Sequence, residues 1–445
     1  MSNIWENTRS YLLLKRYIVW SFRQYYSKVV IKGQENLPDT GPVIFAPNHL
    51  NALMDALAVL TLPPFRLPKV FLARADIFKL PKAVVNFIRF AKILPAYRIR
   101  DGYDQLDRNK HTFEDAEKAL LSNASIGIMP EGNQGEERNI RPLVKGIFRI
   151  AFGAQQKMPP GKSVKIVPIG FEYGDIIEYQ RSLVIRIGHP IDVSEYMPLY
   201  TENQVQATNE LKSTLRNALE SLTVHLPTGD NYELFDRVTE LVSPALQAPQ
   251  KNAWTLFNAR REVAERLQTI SKHEPEKLTE LQELYAQYEK VADELQLPQR
   301  RADRPFVPES AKAVIRLKII LQSILMIPGM IANYLPYTLI RSIPRIAGIK
   351  YSGFYSSVFY VAGIVVLPLY YLLAGGLLVG LTALSFWNLL WILPAFYLSG
   401  KFSFRLYQSV SKLSDDLRMV RITTENAHRF DSLMAIRQKI IALIV

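Results

Sequence analysis

The chain has 445 residues, too many for one small core, and so predicts at least two folding units. A net charge of +13 points to anionic partners, and its spread along the chain argues against a nucleic-acid-binding arm. With no cysteine, disulfides, thiolate metal sites and a cysteine nucleophile are excluded.

Residues 1–30 read as a basic, aromatic, amphipathic helix. Trp5, Tyr11, Trp20, Phe22, Tyr25 and Tyr26 are mixed with Arg9, Lys15, Arg16, Arg23 and Lys28. Such a helix either lies in a membrane interface or packs on the domain that follows. Its scattered charges, without a long apolar core or a small-residue cleavage site, do not fit a cleaved signal.

Over residues 31–230, β-rich runs alternate with helical stretches. The runs are Val43–Phe45, Val70–Leu72, Ile93–Ala96, Ile126–Met129, Val164–Ile169 and Leu183–Ile187. The helices between them fall at Ala52–Leu60, Ala83–Phe90, Asp104–Leu121, Lys145–Gln156 and Glu202–Leu222. This alternation predicts an α/β domain with a mostly parallel sheet flanked by helices. Sites in such sheets form beyond the carboxyl ends of strands, and His49, Arg98 and Glu131 each follow a strand closely.

Residues 231–310 predict a helical hairpin, divided at Glu274-Pro275, and a linker. Residues 311–400 read as a membrane region, since Tyr351 to Gly400 carries no Asp, Glu, Lys, Arg or His. Within it, 355–398 predicts a hairpin turning around Ala374–Gly380. The run 319–340, interrupted by Pro328, Gly329, Asn333 and Pro336, predicts a broken or re-entrant element. Arg341, Arg345 and Lys350, with the basic tail 401–445, place those segments and the first half of the chain on the cytoplasmic side.

The chemistry concentrates in the α/β domain. His49 sits where a strand meets a helix, and Asp55 follows it within two turns. A carboxylate there can hold the imidazole in one tautomer and stabilise its protonated form, which suits a base. Arg98 and Arg100 follow the Ile93–Ala96 strand, and arginine binds phosphate as a bidentate fork. Pro130-Glu131-Gly132 predicts a tight turn that fixes one carboxylate, with Arg138, Arg141 and Lys145 beyond it and a helix opening at Gly146. Val167-Pro168-Ile169 reads as a buried strand or the wall of an acyl pocket. No Asp/His grouping looks like a metal cluster.

Taken in order, these four blocks resemble those of the glycerophospholipid acyltransferase (PlsC-like) family. Asn48-His49…Asp55 is similar to its first block and Pro95…Arg98…Asp101 to its second. Pro130-Glu131-Gly132 is similar to the third and Val167-Pro168-Ile169 to the fourth. The resemblance covers roughly 30–230. The family usually has four residues between His and Asp and this chain has five, a spacing shared by some larger membrane-bound glycerol-3-phosphate acyltransferases with hydrophobic C-terminal regions. The usual Thr-Arg after Glu-Gly is Asn133-Gln134 here, and Arg138 or Arg141 would supply the missing cation.

The resemblance implies a PlsC-like domain that transfers an acyl group from a thioester to a hydroxyl of glycerol 3-phosphate, or of dihydroxyacetone phosphate. His49 would be the base and Asp55 its orienting partner. Asn48, Arg98, Arg100, Glu131, Gly132, Arg138 and Lys145 would bind substrate. No cofactor is expected beyond acyl-CoA or acyl-ACP as co-substrate, and a lipid bilayer is the expected surface. The alternatives are acylation of 1-acylglycerol 3-phosphate to phosphatidic acid, and a membrane adaptor without activity. Nucleic acid is not an expected partner, because the aromatic residues concentrate in apolar stretches rather than among basic ones. Oligomeric state stays open.

Overall fold

The computed structural model describes residues 4–97, 108–247, 250–297 and 308–445. The chain divides into two compact units. The first holds Met1–His225, Lys251–Phe257 and Ser352–Ser357. The second holds Leu226–Gln250, Asn258–Tyr351 and Val358–Val445.

In the first unit, α1 (Arg9–Tyr25) leads into β1 (Lys28–Lys32) and β2 (Val43–Pro47). Then come α2 (Ala52–Leu60), β3 (Lys69–Arg74), α3 (Lys82–Phe90), β4 (Ile93–Ala96), α4 (Arg108–Leu121), β5 (Ser125–Gly127) and α5 (Gly146–Gln156). The unit continues with β6 (Lys165–Tyr173), β7 (Ser182–Ile187), the short β8 (Ile191–Asp192), α6 (Met197–Glu202) and α7 (Gln204–Leu222). The sheet order is β1-β7-β6-β2-β5-β3-β4, with β8 beside β6. Every pairing is parallel except β6 with β7 and β6 with β8. The expected α/β class, a mostly parallel sheet with helices around it, is the class observed.

Strand composition explains the layering. All of β2 is buried, as is β6 beyond Lys165, which fits strands covered on both faces. Helix α5 buries Ile147, Phe148, Ile150, Ala151 and Phe152, and α7 buries Leu211, Leu215, Leu219 and Leu222 at helical spacing. Pro168 sits inside β6, where a missing N–H would ordinarily break a ladder. Here β8 partners β6 at Lys165 and Ile166 and β7 takes over from Ile169, so Pro168 falls in the gap between them.

The N-terminal expectation needs one correction. The helix does not run across 1–30; it stops at Tyr25, and Lys28–Lys32 is an edge strand parallel to β7. The β-branched run Val29-Val30-Ile31 favours extended backbone over another helical turn. Helix α1 buries Tyr11, Lys15, Phe22 and Tyr25 and leaves Leu13, Tyr17 and Trp20 exposed.

The second unit contains α8 (Tyr232–Leu246), most of α9 (Ala253–His273), α10 (Pro275–Glu294), α11 (Lys312–Ile346), most of α12 (Tyr355–Leu381), α13 (Leu389–Glu425) and α14 (Ala427–Ile444). The break at Glu274-Pro275 is where the sequence put it, with Pro275 opening α10 at a position that needs no N–H donor.

Two expectations change here. The run 319–340 is not broken but lies inside the continuous α11, through Pro328, Pro336 and Pro344. Pro336 cannot donate to the carbonyl of Ala332, and the Tyr370 hydroxyl donates to it instead, 3.0 Å away. The expected turn at Ala374–Gly380 is helical to Leu381, which moves the reversal to 382–388 and puts the second half of the predicted hairpin in α13. The basic tail, residues 401–445, forms the rest of α13 and all of α14, which buries Phe430, Leu433, Ile440 and Ile444. By length and composition, the helices able to cross a membrane among the described residues are Glu309–Ile346 and Ser352–Leu381.

Candidate active site

Strand β2 ends at Pro47 in the middle of the sheet, between β5 and β6, and Asn48–Asn51 carry the chain into α2. Ala52 adopts a left-handed φ of 38°, which a side chain tolerates poorly and which turns the first helical turn back toward the strand end. Asp55 thereby meets the loop that precedes it.

His49 Nδ1 lies 2.9 Å from Asp55 Oδ2. The same oxygen accepts the N–H of Leu50 at 2.9 Å and of Asn51 at 2.7 Å. Oδ1 accepts the Tyr173 hydroxyl at 2.6 Å. Asp55 is wholly buried, and the His49 side chain keeps 16% of its surface exposed. Four donors on one buried carboxylate compensate for its lost hydration. Because an ionised carboxylate only accepts, Nδ1 carries the proton and Nε2 presents a lone pair. Among the described residues Nε2 has no protein partner. Burial, and then the charge of Asp55, hold the Tyr173 phenol well above its usual range, so it stays a donor.

Glu131 braces the histidine from the other side. Its Oε1 accepts the His49 N–H at 2.8 Å, and its Oε2 meets the backbone N–H of Arg141 at 3.1 Å and the Arg141 guanidinium at 3.0 Å. The guanidinium also donates to the His49 carbonyl at 2.9 Å. Both ends of the His49 peptide are therefore clamped. Burial raises the Glu131 carboxyl above its ordinary range, against the lowering influence of Arg141 and the two N–H donors. Gly132 turns with φ 71°, and a Cβ there would press on Val144 at 3.1 Å. Gly135 leaves no room for a Cβ because the Arg141 guanidinium lies against it.

The structure sorts the other expected substrate residues differently. Asn48 is buried, and its amide bridges to β6 by accepting the Phe171 N–H at 2.7 Å and donating to the Phe171 carbonyl at 3.3 Å. It holds the loop to the sheet. Arg138 faces Glu172 at 3.6 Å, and Arg141 is engaged by Glu131, so neither offered cation is idle. Lys145 is exposed just before α5. Arg98 and Arg100 lie outside the described residues. A small recess opens between Asn48, Leu50, Arg138, Asn139, Glu172 and Thr223. No cluster of three or more His, Asp or Glu side chains suited to a metal ion occurs among the described residues.

Sequence reasoning missed Tyr173, which extended alternation along β6 places on the same face as Phe171. It also missed Asn51, whose buried amide donates to the Ile176 carbonyl at 2.9 Å and accepts the Ser356 hydroxyl at 2.6 Å. The neighbouring Ser357 hydroxyl accepts the Leu53 N–H at 3.2 Å and so satisfies a free donor of the first turn of α2. No local signal in the sequence points to these serines.

A family model described as Acyltransferase matches residues 28–172. The chain is 25% identical over 224 residues to glycerol-3-phosphate O-acyltransferase 2 of Saccharomyces cerevisiae, a match covering 48% of this chain and 28% of that protein. It is 35% identical over 117 residues to glycerol-3-phosphate O-acyltransferase 1 of the same yeast, covering 26% of this chain and 15% of that protein. It is 28% identical over 126 residues to the 1-acyl-sn-glycerol-3-phosphate acyltransferase of Borreliella burgdorferi, covering 28% of this chain and 46% of that one. The chain thus spans under a third of the length of the two yeast relatives it matches.

Proposed function

We propose that the chain, whose residues 28–172 match the Acyltransferase family model, moves a fatty acyl group from a thioester donor to a hydroxyl of glycerol 3-phosphate, giving lysophosphatidic acid. The pairing of a partly exposed His49 with the buried Asp55 carries this reading. His49 Nε2 takes the proton of the acceptor hydroxyl as its oxygen attacks the thioester carbonyl. A new C–O bond forms, and the tetrahedral intermediate collapses by breaking the C–S bond. The proton returns from His49 to the leaving thiolate, so the imidazole ends neutral and the products are an ester and a free thiol. Asp55 stabilises the imidazolium between the two transfers, and Tyr173 fixes Asp55.

Glu131 and Arg141 act by holding the His49 peptide rather than by touching the substrate. Arg98 and Arg100 are our choice for the acceptor phosphate, because Arg138 and Arg141 are already paired with carboxylates. Acyl-CoA or acyl-ACP serves as co-substrate. Two helices long enough to cross a bilayer support work at a membrane, which we place with the catalytic domain facing the cytoplasm.

A second reading keeps the chemistry and takes lysophosphatidate as acceptor. The similarity to the Borreliella burgdorferi enzyme favours it, and the two yeast relatives favour the first. Acyl transfer from labelled acyl-CoA, with the full chain in nanodiscs and each acceptor offered separately, decides between them. Label in lysophosphatidate from glycerol 3-phosphate, lost in His49→Ala, is the expected result. Label in phosphatidate alone moves the protein to the second reading. No transfer from acyl-CoA or acyl-ACP to either acceptor removes both.

A further inference from the structure

Helix α3 connects parallel strands β3 and β4, and a crossover helix of this kind ordinarily buries its apolar side against the sheet. This one buries only Ile88. Val84 and Phe87 are 41% and 55% exposed, and Leu80 and Phe90, at the edges of the same stripe, are exposed as well. The stripe follows helical spacing, so it is one face and not scattered residues.

Helix α1 presents a second such face beside it. Tyr11 of α1 packs edge-on against Phe90 at 6.2 Å, and Lys15 of α1 donates to the Phe65 carbonyl at 2.8 Å. The Phe65 side chain is exposed next to this contact, and so are Leu13 and Trp20 on the outer side of α1. The charge around these faces has one sign. Residues 9–25 carry Arg9, Lys15, Arg16 and Arg23 and no acid. Residues 61–92 carry seven basic residues against the single Asp76, which is itself paired with Arg74. Arg66, Lys79, Lys82 and Arg89 are exposed around the apolar stripe.

We infer that α3, Phe65 and the outer face of α1 form one surface that seats the acyltransferase domain on an anionic lipid bilayer, with α3 lying in the headgroup layer. An exposed apolar stripe edged by cations is the composition of an interfacial helix. A soluble protein surface of the opposite kind, acidic and polar, would have no use for the aromatic residues. A second copy of this chain would set cation against cation across the contact. The inference stands on the exposed residues alone and does not depend on which acceptor is acylated.

The absence of cysteine makes the test direct. The full chain is reconstituted in nanodiscs of phosphatidylcholine, with or without phosphatidylglycerol, carrying one spin label at Val84→Cys, Phe87→Cys or Trp20→Cys. Gln206→Cys, on an exposed turn of α7, is the aqueous control. These side chains are exposed, so labelling them removes no core contact. Labels at the three test positions are expected to collide with oxygen several-fold more than with a nickel chelate, relative to the control. Phosphatidylglycerol is expected to strengthen that bias, and Lys82→Glu with Arg89→Glu to abolish the strengthening. Aqueous behaviour like that of Gln206→Cys overturns the proposal. So does shielding from both reagents, which would mean that protein covers the stripe, and so does dipolar broadening between labels, which would mean a second copy. A membrane bias that phosphatidylglycerol does not change overturns the anionic part.

Discussion

At the residue scale, the reading turns on what Asp55 does for His49. Asp55→Asn keeps the shape of the side chain but removes the charge that stabilises an imidazolium, so kcat should fall about 10²–10⁴-fold, the usual worth of a positioned base. Tyr173→Phe removes one of the four donors on Asp55 and leaves the charge. Its cost should be smaller, about 1–3 kcal/mol, and should fall on kcat more than on KM. Equal losses in the two variants would mean that Asp55 serves the fold and not the base. Lys15 and Lys92 give a pH test in the same unit. Burial holds both down to about 8 from the ordinary 10.5; the charge of Lys92 adds to the lowering at Lys15, and Glu6 opposes it at Lys92. Between those values the unfolded chain binds more protons than the folded one, so stability should rise with pH across the window and level off above it. Thermal midpoints of the full chain in detergent, taken from pH 7.5 to 10.5, should rise in the wild type and rise less in Lys15→Met. His49 and Glu131 were legible because each follows a strand that reads clearly on its own, and Asp55 because it lies in the first turn of the helix after His49. Tyr173 was not, and Arg141 was legible only as a nearby cation, because what they do depends on strands and loops folded together from distant sequence, and no spacing encodes that.

At the scale of elements, the first unit followed its sequence pattern closely, since most of its strands are short apolar runs with a helix after them. The clearest departure occurs where a local rule met a tertiary partner. Prolines predict a broken helix at 319–340, yet Tyr370 supplies Ala332 with the donor that Pro336 lacks, and the helix continues. Helix α11 then lies close along α13. A Cβ at Gly329 would collide with the Ser403 hydroxyl and the Ser399 carbonyl, and one at Gly400 would meet the Asn333 amide at 2.7 Å. Asn333 spans the contact by donating to the carbonyls of Gly329 at 2.9 Å and Phe396 at 3.2 Å, and it accepts the Tyr371 hydroxyl at 2.7 Å. Small residues with a polar bridge are how helices approach without a hydrophobic drive between them. Gly329→Leu should therefore force α11 and α13 apart and cost about 1–3 kcal/mol or more. Its thermal midpoint in detergent should drop, while Gly380→Leu, which meets no neighbour, should leave the midpoint unchanged. If both variants melt alike, the close approach of the two helices is not what holds them.

At the scale of the whole molecule, the unit that carries His49 is discontinuous in sequence. A boundary near residue 230 was the natural reading, because strand and helix alternation stops there. The folded unit also takes in Lys251–Phe257 and Ser352–Ser357. The first piece sets Trp254 beneath Lys32 at 5.4 Å and Phe257 beneath Arg186 at 5.4 Å, which covers the β1–β7 edge of the sheet. The second reaches the active-site loop itself, where Ser356 bonds Asn51 and Ser357 caps the Leu53 N–H. Asn51 also gives Asp55 its shortest backbone hydrogen bond, so the serines act on the base through two intermediaries and touch no substrate. This ordering separates two kinds of loss. If the serines only add stability, Ser356→Ala with Ser357→Ala should lower the thermal midpoint and leave kcat and its pH profile alone. If they position the loop, kcat should fall several-fold with KM little changed, and the acid limb of the pH profile should move as the hold of Asp55 on His49 loosens. Ser356→Thr with Ser357→Thr keeps both hydroxyls and should restore most of the activity. The geometry favours positioning, because the Ser356 bond ends on a wholly buried amide oxygen that has no other donor among the described residues. A chain ending at His225 would lack both serines, so it should be less active than the full chain even where its sheet is intact.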